Sequence, residues 1–471
     1  MNPRRSRSRR KRFESVRGNL VGPAARYHSW RIQSPRRSCE SRRNFSGRLT
    51  RLVVGLVVVL LLVSVAQSLF PPLDSGRRLL AAAVDPKDGS DDEREARMPL
   101  DGKDGRPLAL DQFRPRSMLR VETHQPPGAK FPCVDVHTHP RFRLLHSKKR
   151  LDEFVKIMDE QNIAACVSLD GRLGAEFEEH AKYLWTQYRD RFVIFANVDW
   201  MGSGKPDDPA SWDCQRTDFG RHTTEQLAEA KRMGASGLKF FKQFGLGYRN
   251  PDGSLIRIDD PRWDPIWEAC GKLGLVVIIH TADPAAFFLP IDAHNERWEE
   301  LHRHPDWSFY GEDFPSRDEL LEARNRVIGR HPETTFIGAH MANNPEDLAR
   351  VGEWLDQYPN LYIEIAARIA ELGRQPYTAR RFFLKYADRI MFGTDGPRSR
   401  ARLLPHWRFL ETFDENFPYA ENPFPPQGLW NIFGIGLPDD VLRKVYYGNA
   451  MRVIPGISER VEKYRAAKRA G

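Results

Sequence analysis

Short apolar runs that end on a polar side chain recur along the later two-thirds of the chain. Val134-Asp135-Val136-His137-Thr138-His139-Pro140 closes on two imidazoles, Leu275 to Ile279 runs into His280, Thr335 to Ala339 into His340, and Arg389 to Thr394 into Asp395. Four to six apolar residues without alternation suit a strand covered on both faces, as in a parallel sheet. The pattern predicts strands at 133–137, 164–169, 192–198, 236–241, 275–280, 335–340, 361–365 and 389–394. Between them, apolar residues at three- and four-residue spacing predict helices such as Lys149 to Gln161, Thr224 to Met233, Arg317 to Arg330 and Pro345 to Gln357. Strands alternating with helices in this way predict an α/β fold, a (β/α)8 barrel of TIM type. The alternative is a doubly wound open sheet, which would gather its site at one switch point. The polar run ends instead belong to the first, fifth, sixth and eighth strands.

Residues i and i+2 of a strand point the same way, so His137 and His139 can converge on one divalent cation. Pro140 stops the strand and leaves both histidines at its carboxyl end, where barrels of this class build their sites. Taken singly, each of His280, His340 and Asp395 reads as a satisfied histidine or a capping aspartate. Four strand ends in agreement shift the reading toward a metal site. Neutral imidazoles with one carboxylate suit Zn²⁺ or a similar ion and leave a coordination position open.

Residues from about 133 to 454 resemble the amidohydrolase superfamily, in the amidohydrolase-related branch that includes aminocarboxymuconate-semialdehyde decarboxylase. The matching residues are Asp135-Val136-His137-Thr138-His139, His280, Gly338-Ala339-His340, Phe392-Gly393-Thr394-Asp395 and the closing Tyr447-Gly448-Asn449-Ala450-Met451-Arg452. The resemblance implies His137, His139, His280 and Asp395 as ligands of one divalent ion, Zn²⁺ above all. It implies His340 as the catalytic acid/base, with Asp395 in a second role as proton acceptor. It also implies hydrolysis of a small organic substrate, with non-oxidative decarboxylation at the same metal site as the alternative. A catalytically silent barrel serving as a binding module is the reading from another class, and the complete set of four ligands and His340 opposes it.

Lys239 lies on the fourth strand, where some members of the superfamily carry a carboxylated lysine bridging two metals. Lys239, Lys242 and Arg368, the last just beyond the seventh strand, are the candidates for binding a substrate carboxylate. The segment from Thr281 to Ser316 is long for a βα loop and carries seven aromatic residues, which predicts a structured cover over the barrel mouth. Its histidines, His294, His302 and His304, read as exposed loop residues.

Charge changes the picture only at the amino terminus. Residues 1–51 hold sixteen Lys plus Arg against two acidic residues, so the net charge of +10 becomes −4 for the remainder. The tail reads as disordered, and the barrel has no basic-aromatic pattern that would call for nucleic acid. Residues 52–70 are apolar and can just span a bilayer, with the basic side expected in the cytoplasm and the barrel across the membrane. Ser64-Val65-Ala66 offers the competing expectation, an exported soluble form after signal cleavage. Residues 71–130 read as a tether, 131–456 as the barrel and 457–471 as a helical tail. Five cysteines without regular spacing argue against a disulfide framework. Homo-oligomerisation is compatible with all of this and demanded by none of it.

Overall fold

The computed structural model describes residues 108–109, 112, 115–420 and 427–470. The chain divides into two units, Met1–Phe113 and Arg114–Gly471, and the account below concerns the second. The expected tail at 1–51 and span at 52–70 lie outside the described residues, as does most of the tether. Among the described residues no helix is long and apolar enough to cross a membrane.

Among the described residues, eight parallel strands follow one another in sequence order: β1 Cys133–Thr138, β2 Ile163–Ser168, β3 Phe192–Ala196, β4 Gly237–Phe240, β5 Val276–Ile279, β6 Phe336–Gly338, β7 Leu361–Glu364 and β8 Ile390–Met391. The first and last are neighbours. The Val136 N–H donates to Phe392 O at 3.0 Å, the Gly396 N–H donates to His137 O at 3.2 Å, and Thr138 bridges Gly396 in parallel. That closure makes the sheet a barrel and removes the doubly wound alternative.

Unbroken apolar strands are required because both faces are covered. Val193, Phe195, Val276 and Ile278 join Val134, Val136, Val167, Ile337 and Met391 in one buried cluster. Their alternates Ile194, Ala196, Val277 and Ile279 pack in a second cluster with helix residues such as Phe154, Leu227, Trp267 and Val327. This is the period of two that separates barrel interior from helical shell. The helix Ile457–Ala470, expected as a tail, brings Ile457, Val461 and Tyr464 into the first cluster. Its Arg460 Nε donates to Phe192 O at 3.0 Å and its Tyr464 hydroxyl meets Asn162 Oδ1 at 3.2 Å, at the amino ends of β3 and β2.

The helices begin where local chemistry permits. Arg317–Arg330 opens with a capping box between Ser316 and Glu319, and Leu348–Gln357 opens after Asp347, whose side chain accepts the Arg350 N–H. The strands are shorter than the apolar runs. His280 falls directly after β5, and His340 and Asp395 fall in the turns beyond β6 and β8, because the ladder ends where the backbone bends to direct these side chains. Residues 281–316 are structured, with a helix at Trp298–Arg303 and short 3₁₀ turns at Ala285–Phe288 and Pro305–Trp307. The segment is anchored across the barrel end: buried Arg297 pairs with Glu300 at 2.7 Å and with Glu371, which follows β7.

Candidate metal centre

Asp135 ties the carboxyl ends of β1 and β8 together. Its Oδ1 accepts the N–H groups of His137 (3.1 Å) and Thr394 (3.0 Å), and its Oδ2 accepts the Thr394 hydroxyl at 2.5 Å. Gly393 allows the close approach, since a Cβ there would lie 2.6 Å from Glu364 Oε2 and 3.2 Å from His137 Cβ. Three donor atoms meet at this junction. His137 Nε2 and His139 Nε2 are 3.3 Å apart, and Asp395 Oδ1 lies 3.7 Å from the first and 3.4 Å from the second. A tetrahedral ion bound at about 2.0–2.1 Å requires ligand atoms about 3.3–3.4 Å apart; the spacings of 3.3 and 3.4 Å match that edge, and the His137–Asp395 spacing of 3.7 Å is about 0.3 Å longer.

The orientation of each ring is set from behind. His137 Nδ1 is 2.8 Å from Glu364 Oε1, and His139 Nδ1 is 2.6 Å from Asp170 Oδ1. A carboxylate on Nδ1 holds the proton there and leaves Nε2 bare for a cation. Glu364 Oε1 also accepts the His340 N–H at 2.7 Å, and Glu364 Oε2 accepts the Ala366 N–H at 2.5 Å. Glu364 therefore shares a donor group with His137 and His340 in space, yet its oxygens are already engaged as acceptors. We read it as an orienting carboxylate.

His340 begins a left-handed turn after β6, in which His340, Met341, Ala342 and Asn343 have φ of 57°, 59°, 51° and 55°. Such a backbone costs residues with a Cβ roughly 1–2 kcal/mol each. The ring donates from Nδ1 to Ala366 O at 2.8 Å, and among the described residues its Nε2 has no hydrogen bond. His340 packs against His137 and His280 with ring centroids 4.7 and 4.6 Å apart. His280 turns Nε2 to Ala282 O at 3.1 Å and stands outside the group formed by His137, His139 and Asp395. The structure thus gathers three of the four expected ligands, with the fourth ring adjoining through His340.

Burial holds His137 and His340 well below the usual imidazole range, assisted by Lys239 at the first and by His280 at the second. Burial likewise lowers His280 to about 4. Neutral imidazoles are the form a cation needs. Burial pushes Asp395 upward, but His137, His139, Arg398 and Arg143 outweigh it and hold the carboxyl below its ordinary value. Burial raises Glu364 despite its backbone hydrogen bonds.

Lys239 is buried, its Nζ lies 3.5 Å from His137 Nε2, and burial lowers its amine to about 8. Arg368 is buried beyond β7 with Nη1 on Ala367 O at 2.8 Å and an Nε that has no partner among the described residues. Lys242 has an acidic partner that the sequence did not show. Its ammonium is in close contact with Asp283, whose carboxyl is held low by that lysine against the opposing effect of burial. His294, His302 and His304 are exposed, and the last two stack on Trp298 and Trp307 rather than on the centre.

Sequence reasoning passed over Asp170 and Glu364. Each is a lone carboxylate ending an apolar strand run, Val167-Ser168-Leu169-Asp170 and Leu361-Tyr362-Ile363-Glu364, which is the same signal that marked His280 and Asp395.

The sequence profile of the family described as Amidohydrolase matches residues 134–456. No curated protein matches the chain. Among solved structures it is similar to a 2,6-dihydroxybenzoate decarboxylase (18% identity, 69% of this chain and 99% of that one, TM-score 0.41). It is also similar to 5-carboxyvanillate decarboxylase LigW from Sphingomonas paucimobilis (17%, 64% and 82%, 0.35) and to 4-oxalomesaconate hydratase LigJ from Rhodopseudomonas palustris (14%, 71% and 98%, 0.39). The profile match spans the whole barrel, from the first strand to the helices that follow the eighth, and the chain belongs to the amidohydrolase family.

Proposed function

We propose that this barrel hydrolyses a small carboxylate-bearing substrate with one divalent ion, Zn²⁺, held by His137, His139 and Asp395, with His280 as fourth ligand. The observation that carries the reading is the spacing of the three donor atoms, 3.3, 3.4 and 3.7 Å, which is that of ligands around one small cation. When bound, such an ion supplies a Lewis acid and lowers the pKa of water toward neutrality. His340, with Nδ1–H committed to Ala366 O, presents Nε2 as the proton-accepting nitrogen and returns the proton to the leaving group. Asp395, a ligand through Oδ1, keeps Oδ2 toward Arg143 (3.5 Å) and Arg398 (3.7 Å) as a second proton acceptor. Arg368 and Lys239 supply the cationic charge for the substrate carboxylate, and the aromatic segment 281–316 limits access of water.

Decarboxylation is the second reading. Lys239, 3.5 Å from His137 Nε2, would hold a carboxylate against the cage itself, where its loss as CO₂ could be assisted. Metal analysis of the purified protein tests the shared premise: about one ion per chain is expected, lost in His137→Ala, and unchanged metal content in that variant would sink the assignment. A panel of small carboxylic acids, assayed for CO₂ against hydrolysed product, separates the two reactions. We further propose that residues 52–70 anchor the chain with the barrel on the non-cytoplasmic side. Protease added to intact spheroplasts should digest the barrel, whereas protection would refute that orientation and a soluble form beginning near Gln67 would establish cleavage.

A further inference from the structure

The left-handed turn at His340 is fixed from several directions. Arg324 Nη1 donates to Ala342 O at 2.5 Å and Arg317 Nη2 to Asn343 O at 2.6 Å. Gly338 leaves room for the turn to fold back, since a Cβ there would meet Ala342 Cβ at 2.8 Å. The last residue of the turn, Asn343, is buried and reaches to the segment after β5. Its Oδ1 accepts the Thr281 N–H at 3.2 Å and its Nδ2 donates to Ala282 O at 2.7 Å. The same Ala282 oxygen receives His280 Nε2 at 3.1 Å. A carbonyl can only accept, so the His280 proton sits on Nε2 and Nδ1 carries the lone pair. His137 and His139 take their tautomers from carboxylates at hydrogen-bond distance, whereas the nearest acceptor to His280 Nε2 is the Ala282 carbonyl that Asn343 holds in place, with Asp283 Oδ1 farther off at 3.8 Å and favouring the same Nε2–H.

We propose that Asn343 is a positioning residue of the metal centre. Through the Ala282 carbonyl it keeps His280 Nδ1 bare, and it locks that ring to the turn carrying His340. The inference rests on the reading of His280 as a ligand. It also gives a reason for asparagine at a backbone of φ 55°, which asparagine tolerates better than most residues with a Cβ.

Asn343→Gly deletes both side-chain bonds while keeping a residue suited to that φ. In the full-length protein, zinc affinity measured by chelator competition should fall about 10–100-fold, the usual consequence of losing an orienting partner of a ligand. In the metal-free protein, ¹⁵N shifts of His280 should change from a single Nε2–H tautomer to a mixture. Asn343→Asp, which keeps the acceptor for Thr281 but turns a carboxylate toward the Ala282 oxygen, should weaken zinc at least as much and carries the test if the glycine variant does not fold. Asn360→Ala serves as the comparison, because Asn360 bridges the Ile328, His331 and Thr334 carbonyls before β7. It should lower stability and leave zinc affinity alone. Wild-type affinity and an unchanged tautomer in Asn343→Gly, or equal weakening in Asn360→Ala, would overturn the proposal. If the unaltered protein binds no zinc, the ligand reading fails by itself, while the metal-free tautomer still decides the role of Asn343.

Discussion

Replacing Asp170 by asparagine should separate folding from metal binding. Asp170 is fully buried, its Oδ1 is 2.6 Å from His139 Nδ1, and its Oδ2 accepts the Arg141 N–H at 3.0 Å. Asparagine has one oxygen to offer. Arg141 N–H can only donate, so that oxygen goes to it, and the amide NH₂ then faces His139. The ring accommodates by accepting at Nδ1 and moving its proton to Nε2, the atom that faces His137 and Asp395. Every buried group keeps a partner in the metal-free variant, so its stability to urea should stay within about 1 kcal/mol of wild type. Taking up the ion forces the proton back to Nδ1. That step loses one hydrogen bond, about 0.5–1.5 kcal/mol, and leaves a buried donor unpaired, about 1–3 kcal/mol. The sum of about 1.5–4.5 kcal/mol corresponds to zinc affinity roughly 10- to 2,000-fold weaker. Chelator competition measures it, with ¹⁵N shifts of His139 reporting the tautomer. Zinc affinity within threefold of wild type would refute the reasoning, and so would a metal-free variant destabilised by several kcal/mol.

His340→Asn places a residue tolerant of left-handed backbone at φ 57°, whose amide can still reach Ala366 O, and removes only the Nε2 end of the ring. Turnover should drop about 10²–10⁴-fold with zinc retained, and full activity on any substrate found would remove His340 from the mechanism. Gly393→Ala drives a methyl to 2.6 Å from Glu364 Oε2, an overpacking expected to cost about 1–3 kcal/mol in urea unfolding together with weaker zinc binding. An unshifted unfolding midpoint would mean that Glu364 yields freely. His180 is buried against Ser168 Oγ at 2.7 Å, and burial lowers it to about 3. The native state holds this ring neutral while the unfolded chain protonates it below about pH 6.5, so stability is present above that pH and is lost as pH falls toward 3. The share from this one group is about 5 kcal/mol, and an acid-unfolding profile that is the same in His180→Gln would contradict it.

The barrel was legible because parallel strands covered on both faces need unbroken apolar runs, and each run advertised its carboxyl end with a polar residue. The same physics placed His137, His139 and Asp395 together. Asp170 and Glu364 escaped notice because a single carboxylate at a strand end has the sequence signature of a cap, and only three-dimensional proximity to an imidazole tells the two apart. The left-handed turn was invisible for another reason: Met341-Ala342-Asn343 contains no glycine, and the backbone is imposed by Glu364, Arg324 and Arg317 from other elements. The ion pair of Lys242 was not foreseen, because its counterion, Asp283, comes from the next strand's loop. The apolar stretch at 52–70 lies outside the described residues.

The helix Ile457–Ala470 has a consequence for how the protein comes into being. Ile457 and Val461 are fully buried against β2 and β3, elements made nearly three hundred residues earlier, and β1 finds its second neighbour only when Phe392 has been synthesised. Contacts so distant along the chain make for slow folding and long-lived exposed apolar edges. A nascent barrel cannot seal its amino-terminal end until residues 457–470 have been translated. Chains that stop short of residue 457 therefore present bare apolar surface to chaperones and proteases, so this helix serves as a check that the barrel has been made in full.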